Sequence, residues 1–173
     1  MEKRLAKLSD LENLKELYQV VIDHQKYDEY SPDWHMGIYP SDNDFISHIQ
    51  NNEFYVGLQD GIIVSAGVLT HGDDPIYSKV KWLNPVDSKD VSVIHLFTVS
   101  PNYRKKGYSR EMFDYLLNSA KENGVKAIHL DVAYGNIPAE KLYTKFGFQH
   151  TDTIDVYYED TGDMKAVIME KVL

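Results

Sequence analysis

At 173 residues, 43% of them hydrophobic and 26% charged, the chain suits one domain (1–173) with a single sizeable core. It has no cysteine, which excludes a disulfide framework, a thiolate nucleophile and a zinc–cysteine site. A formal net charge of −9 argues against a nucleic-acid partner, which needs a basic footprint; it either attracts a cationic acceptor or only keeps the protein soluble.

No stretch approaches the roughly 20 apolar residues of a membrane span. No apolar run follows Met1-Glu-Lys-Arg-Leu-Ala-Lys7, so no signal peptide is expected. The expectation is a cytoplasmic protein with no membrane partner.

Residues 3–7 suit a short first strand. Ser9-Asp10-Leu11-Glu12 has the form of a capping box with Ser9 as N-cap, and Leu11, Leu14, Leu17, Tyr18, Val21 and Ile22 then recur at helical spacing to about His24. Tyr27 to Pro40 breaks the pattern, alternating aromatic and acidic residues around prolines. Ser41 is placed as the N-cap of a short helix carrying Phe45, Ile46 and Ile49.

Glu53 to Gln59 and Ile62 to Thr70 read as strands paired through Asp60-Gly61, the dipeptide of a type I′ turn. His71 to Asp90 is a long connection whose middle, Tyr77 to Leu83, reads as extended; such length in a compact domain is often functional.

Val91 to Val99 is apolar enough to be buried on both faces. Ser109 to Asn123 is predicted helical, stopped by Gly124. Ala127 to Val132 reads as a second buried strand and Asn136 to Phe146 as a helix ended by Gly147. Phe148 to Tyr158 and Lys165 to Val172 read as an antiparallel pair around Asp160-Thr161-Gly162-Asp163. There are no repeats or linkers.

Between the first buried strand and the helix lies Ser100-Pro-Asn-Tyr-Arg-Lys-Lys-Gly-Tyr-Ser109. Backbone N–H groups at such a turn, with a helix dipole behind them, suit a phosphate. The turn lacks the Gly-Lys-Ser/Thr ending of a nucleotide P-loop and the spaced glycines of a dinucleotide fingerprint. Arg104-x-x-Gly107-x-Ser109 alone is a weak signal; its order within strand, helix and strand, followed by Asn136 and Tyr143-Thr-Lys-Phe-Gly-Phe148, is a stronger one. Over residues 91–150 the chain closely resembles the GNAT superfamily of N-acetyltransferases. It departs from the family turn, Arg/Gln-x-x-Gly-x-Gly/Ala, only in having Ser109, which is small and keeps its N–H.

The resemblance implies a mixed α/β (α+β) fold: a central, mostly antiparallel twisted sheet of six to seven strands flanked by about four helices. It implies acetyl-CoA as cofactor. The pyrophosphate would sit on the backbone of Lys105, Lys106, Gly107, Tyr108 and Ser109, with positive charge from Arg104, Lys105 and Lys106. The pantetheine arm and acetyl carbonyl would bond the backbone of Phe97, Thr98 and Val99, in a slot left as the strand Ala127 to Val132 splays away.

The implied reaction is direct attack of an amine on the thioester. Neutralising a lysine-like amine of pKa ~10.4 at pH 7 costs about 4.6 kcal/mol, so a base helps. A donor helps the thiolate leave. By its place in the motif Tyr143 is the candidate acid, although it also completes the apolar stripe of Ala139, Leu142 and Phe146. Asn136, about two helical turns earlier, either lines the cofactor or serves as an N-cap. His95 is the candidate base, expected to share a face with Phe97 and Val99; a hydrogen-bonded core histidine and a water chain remain open instead.

Acceptor recognition is assigned to the irregular segments, with Asp28, Glu29, Asp33, Trp34 and Tyr39 suited to a cation; these segments could equally be surface loops or a homodimer contact. No histidine–carboxylate cluster has metal-ligand spacing. The reading is an acetyl-CoA-dependent acyltransferase acting on a primary amine, preferably of a small molecule. The alternatives are a protein amine as acceptor, or a non-catalytic acyl-CoA-binding module.

Overall fold

Seven strands pair in the order β1-β2-β3-β4-β5-β7-β6, in a computed structural model that describes residues 1–159 and 161–173. They are β1 (Glu2–Leu5), β2 (Phe54–Gln59), β3 (Ile62–His71), β4 (Val91–Val99), β5 (Ala127–Ala133), β6 (Gln149–Tyr158) and β7 (Gly162–Val172). Every ladder is antiparallel except β4 with β5. The α-helices are α1 (Leu11–His24), α2 (Asp42–Gln50), α3 (Tyr108–Glu122) and α4 (Ile137–Lys145). The expected mixed α/β class and mostly antiparallel sheet are therefore observed. No helix among the described residues is long and apolar enough to cross a membrane.

The helices cover both faces of the sheet. Leu14 and Tyr18 of α1 and Phe45 of α2 pack on Phe54, Val68 and Leu96. On the opposite face Met112, Phe113 and Leu116 of α3 pack on Ile94, Ile128 and Leu130, with Tyr143 and Phe146 of α4 at the margin. Both stripes follow helical spacing, so one face of each helix is removed from water.

Local chemistry explains the connections. Asp60 (φ 52°) and Gly61 (φ 79°) both take the left-handed conformation that a type I′ turn requires, closing β2 on β3. Ser41 caps α2 as expected: its hydroxyl accepts from Asp44 N–H at 3.2 Å, and the Asp44 carboxylate accepts from Ser41 N–H at 2.7 Å.

Ser9 does not cap α1. A single 3₁₀ turn, Leu8–Asp10, precedes the helix, and the nearly buried Asp10 carboxylate organises it by accepting from Lys7 N–H at 2.8 Å and Arg4 Nη1 at 2.7 Å. The carboxylate, held by a guanidinium and a backbone N–H, fixes that turn, and the chain enters α1 through it rather than through a Ser9 cap.

The connection after β3 also departs from expectation. Residues 77–83 are not a strand; Pro75–Tyr77 is a 3₁₀ turn capped by Asp74, which accepts from Ile76 N–H at 2.9 Å. Burial of Tyr77 against Val93, Val156 and Ile168 stabilises that turn. Asp73 meets His129 Nδ1 at 2.8 Å, and Asn84 donates to the Glu170 carboxylate through its backbone N–H at 2.9 Å and its side chain at 2.8 Å. The connection is thus strapped to β5 and β7. At the C-terminal end, β7 starts at Gly162 rather than Lys165; the expected Asp160–Asp163 turn includes Asp160, which lies outside the described residues.

Candidate active site

β4 and β5 pair only from Val91 to Val93 against Ala127 to His129. Beyond that each strand keeps its other neighbour: β4 stays with β3 to Val99, and β5 stays with β7 to Ala133. The two diverge and leave an open wedge.

A β-bulge lies beside this opening. Val68 faces His95 and Ala66 faces Thr98, so Leu96 and Phe97 together oppose Gly67. Leu96 takes a left-handed φ of 50°, unusual for a branched side chain. The fully buried Tyr18 hydroxyl donates a hydrogen bond to the Leu96 carbonyl. Removing that donor strands a buried carbonyl. Tyr18→Phe should therefore lower stability by about 1–3 kcal/mol in urea unfolding; an unchanged midpoint would mean packing alone holds the bulge.

The bulge changes the strand's phase. Directly opposed side chains share a face, so His95 lies on the face of Val68 and the α1/α2 core. Phe97 packs instead against Phe113 of α3, with ring centroids 5.1 Å apart. His95 and Phe97 are on opposite faces, contrary to strict alternation. Burial pushes the His95 pKa down, while the charges of Asp131 and Asp74 oppose that shift.

The basic turn follows Val99. Pro101–Tyr103 is a 3₁₀ turn, Lys105 (φ 62°) and Gly107 (φ 84°) are left-handed, and α3 starts at Tyr108, one residue earlier than predicted. Lys105, Lys106 and Gly107 are exposed, and Tyr108 and Ser109 half-buried. A Cβ on Gly107 would meet nothing within 4 Å, so space for a ligand is open there. With the first-turn N–H groups of a long helix behind it, the turn has the donors and field a pyrophosphate needs.

Arg104 is engaged elsewhere. Its guanidinium grips the Asp28 carboxylate with two bonds of 2.7 Å and holds that carboxyl below its usual range. Asp28 belongs to the segment assigned to the acceptor, so this pair ties that segment to the turn. Lys106 lies over the Tyr103 ring at 4.9 Å, and Tyr108 donates to Gln59 at 3.1 Å.

Asn136 caps α4, its side chain accepting from Ala139 N–H at 3.2 Å. Tyr143 packs on Phe113, ring centroids 5.2 Å apart. Burial, reinforced by the charge of Asp131, pushes the Tyr143 phenol well above its usual range.

A cavity of about 860 Å³ gathers His95, Phe97, Thr98, Arg104, Asn136 and Tyr143 in one lining. Asp28, Trp34 and Tyr39 join them from the 27–40 segment, as do residues 70–76 from the end of β3 and the connection after it. Val99 and Lys105 to Ser109 are outside that lining, as are Glu29 and Asp33.

Sequence reasoning missed Asp131. Its carboxylate accepts from the hydroxyls of Tyr77 and Tyr158, the latter at 2.8 Å, inside the same cavity. One charge within the apolar run Ala127 to Val132 was the available signal.

The sequence matches the model of the acetyltransferase (GNAT) family over residues 16–148. It is similar to the probable N-acetyltransferase san of Drosophila melanogaster, 30% identical over 129 residues, or 71% of this chain and 67% of that protein. It is also similar to the [ribosomal protein bS18]-alanine N-acetyltransferase of Escherichia coli strain K12, 30% identical over 81 residues; the match spans 46% of this chain and about half (55%) of that protein. Among solved structures, the PaiA N-acetyltransferase of Thermoplasma acidophilum, in complex with coenzyme A, superposes with a TM-score of 0.70 at 20% identity, covering 99% of this chain and 98% of that one.

Proposed function

The chain belongs to the GNAT family of acetyltransferases, and from that premise we propose that it transfers the acetyl group of acetyl-CoA to a primary amine, with Tyr143 as hydrogen-bond donor to the leaving sulfur and His95 as base. The observation that carries this reading is the wedge between β4 and β5, where His95, Thr98, Asn136 and Tyr143 line one cavity.

Bound acetyl-CoA supplies an activated thioester. The backbone of Lys105 to Ser109 would hold its pyrophosphate, and the backbone of Phe97 to Val99 at the edge of the wedge would hold its arm. Arg104 serves the turn mainly through its backbone, because its side chain is committed to Asp28. Asn136 acts first as a helix cap.

Burial keeps the Tyr143 hydroxyl protonated across the working pH range. So high a pKa makes it a hydrogen-bond donor that stabilises developing negative charge, rather than a group that gives its proton away completely. His95 has the opposite bias. Its lowered pKa leaves it neutral at pH 7, able to accept the proton an amine loses on attack.

The acceptor in this reading is a small molecule, because the 27–40 and 70–76 segments line the cavity with aromatic and acidic groups. A protein N-terminal amine is the second reading. The similarity to the E. coli [ribosomal protein bS18]-alanine N-acetyltransferase favours it.

The test is thiol release from acetyl-CoA with small amines and with N-terminal peptides. Tight acetyl-CoA binding without turnover on any amine would favour the non-catalytic module. With the best amine, kcat/KM should fall as pH drops below the usual histidine range of about 6.5, because protonation removes the base. That limb should vanish in His95→Gln; an unchanged limb would give the base's role to water.

A further inference from the structure

Asp131 in the cavity is held by phenols and, among the described residues, by no lysine or arginine. The even residues of β5, Ile128, Leu130 and Val132, enter the α3 core, which turns Asp131 to the other face, where the cavity lies. Asp131 is half-buried, and its two oxygens accept from Tyr77 and Tyr158 respectively. Among the described residues, no lysine or arginine forms an ion pair with it. Phenols orient a carboxylate but do not neutralise it, so a half-buried negative charge stands ready for a positive group.

The rest of the lining has the same polarity. Among the described residues its six carboxylates include Asp44, Asp74 and Glu159, while Arg104 is its one lysine or arginine and is already paired with Asp28. Trp34, Tyr39 and Tyr158 offer aromatic surface to a cation. Asp131 is near the reacting groups, since its charge acts on both Tyr143 and His95.

That charge is unsuited to the amine being acetylated. A carboxylate against the nucleophile would favour its ammonium form and oppose the proton loss that attack requires. It suits a different positive group on the same molecule. We propose that Asp131, oriented by Tyr77 and Tyr158, anchors a second, non-reacting ammonium of the acceptor, making small di- and polyamines the preferred substrate class. This rests on the acetyl-transfer reading above and deepens it.

Putrescine and n-butylamine share a carbon chain and differ by one ammonium, so their kcat/KM ratio isolates the second charge. With the full chain and saturating acetyl-CoA, putrescine should be preferred by roughly 10- to 100-fold, mostly through KM, as expected for a charged hydrogen bond in a partly buried site. Asp131→Asn should bring the ratio close to one, whatever happens to the absolute rates. Tyr158→Phe keeps the carboxylate and should keep the preference.

A wild-type ratio near one overturns the proposal without any variant, as does a ratio that survives in Asp131→Asn. A peptide with an N-terminal alanine preferred over putrescine overturns the small-polyamine class. Calorimetric titration of putrescine into the protein with coenzyme A separates the two readings. Binding that depends on Asp131, with no amine acetylated, would uphold the subsite and sink acetyl transfer. Transfer to n-butylamine or peptide with no putrescine binding would do the reverse.

Discussion

Tyr143→Phe is expected to lower the rate of acetyl transfer by roughly 10²–10³-fold, the usual contribution of one preorganised hydrogen-bond donor to developing negative charge. Acetyl-CoA affinity should change little, because the ring that packs on Phe113 is retained and only its oxygen is lost. Stability should change little, since the packing of the ring on Phe113 is retained. Steady-state rates with the best amine, set against calorimetric affinity for acetyl-CoA, provide the measurement. Wild-type turnover would return Tyr143 to the apolar margin of the α3 core. A parallel loss of affinity would make it a binding residue.

Gly107→Val acts at the other end of the site and should injure binding itself. The backbone there has φ 84°, where a side chain costs about 1–2 kcal/mol and a branched one the most. Crowding is not the cause, because the space beside Gly107 is open. The penalty falls on the turn's conformation, and relaxing it misdirects the N–H groups of Lys105 to Ser109. If the full strain is paid on binding, acetyl-CoA should dissociate roughly 5- to 30-fold more readily. Gly107→Ala should fall between the two, since alanine tolerates this region better than valine. Unaltered calorimetric affinity in the valine variant would place the pyrophosphate elsewhere.

What was legible in the sequence followed from local chemistry. Asp60-Gly61 announces its turn because few residue pairs accept two left-handed conformations in succession. Ser41 announces its helix because Asp44 stands three residues on and completes a reciprocal pair. The basic turn was legible for the same reason: Gly107 is required by its own backbone. Ser9 carried a similar signal and lost, because Arg4 reaches Asp10 from another element and no local pattern contains that pairing.

The misses in the site are also tertiary. Strict alternation put His95 and Phe97 together; the extra residue at Leu96, held by Tyr18 from α1, separated them. A hydrogen bond across that distance in sequence leaves no mark on the strand's own composition. Residues 77–83 read as extended, yet the side chain of Tyr77 is committed to Asp131 and to the core beside β7. Arg104 read as a phosphate ligand until its partner in the 27–40 segment was visible.

The strand order has a consequence for assembly. β7 comes last of the strands along the chain, yet it lies inside the sheet, between β5 and β6. Among the described residues β6 forms a backbone ladder only with β7, so it cannot extend the sheet alone. β6 can join the sheet only with β7 or after it, and the docking of β7 on β5 joins residues far apart in sequence, as in the pair Ala127 with Val172. Contacts of this kind are slow to form because the loop entropy is lost before they reward it. Any change that weakens the β5–β7 ladder therefore puts two strands at risk together, and leaves the flank of β5, beside Asp131, without its neighbour.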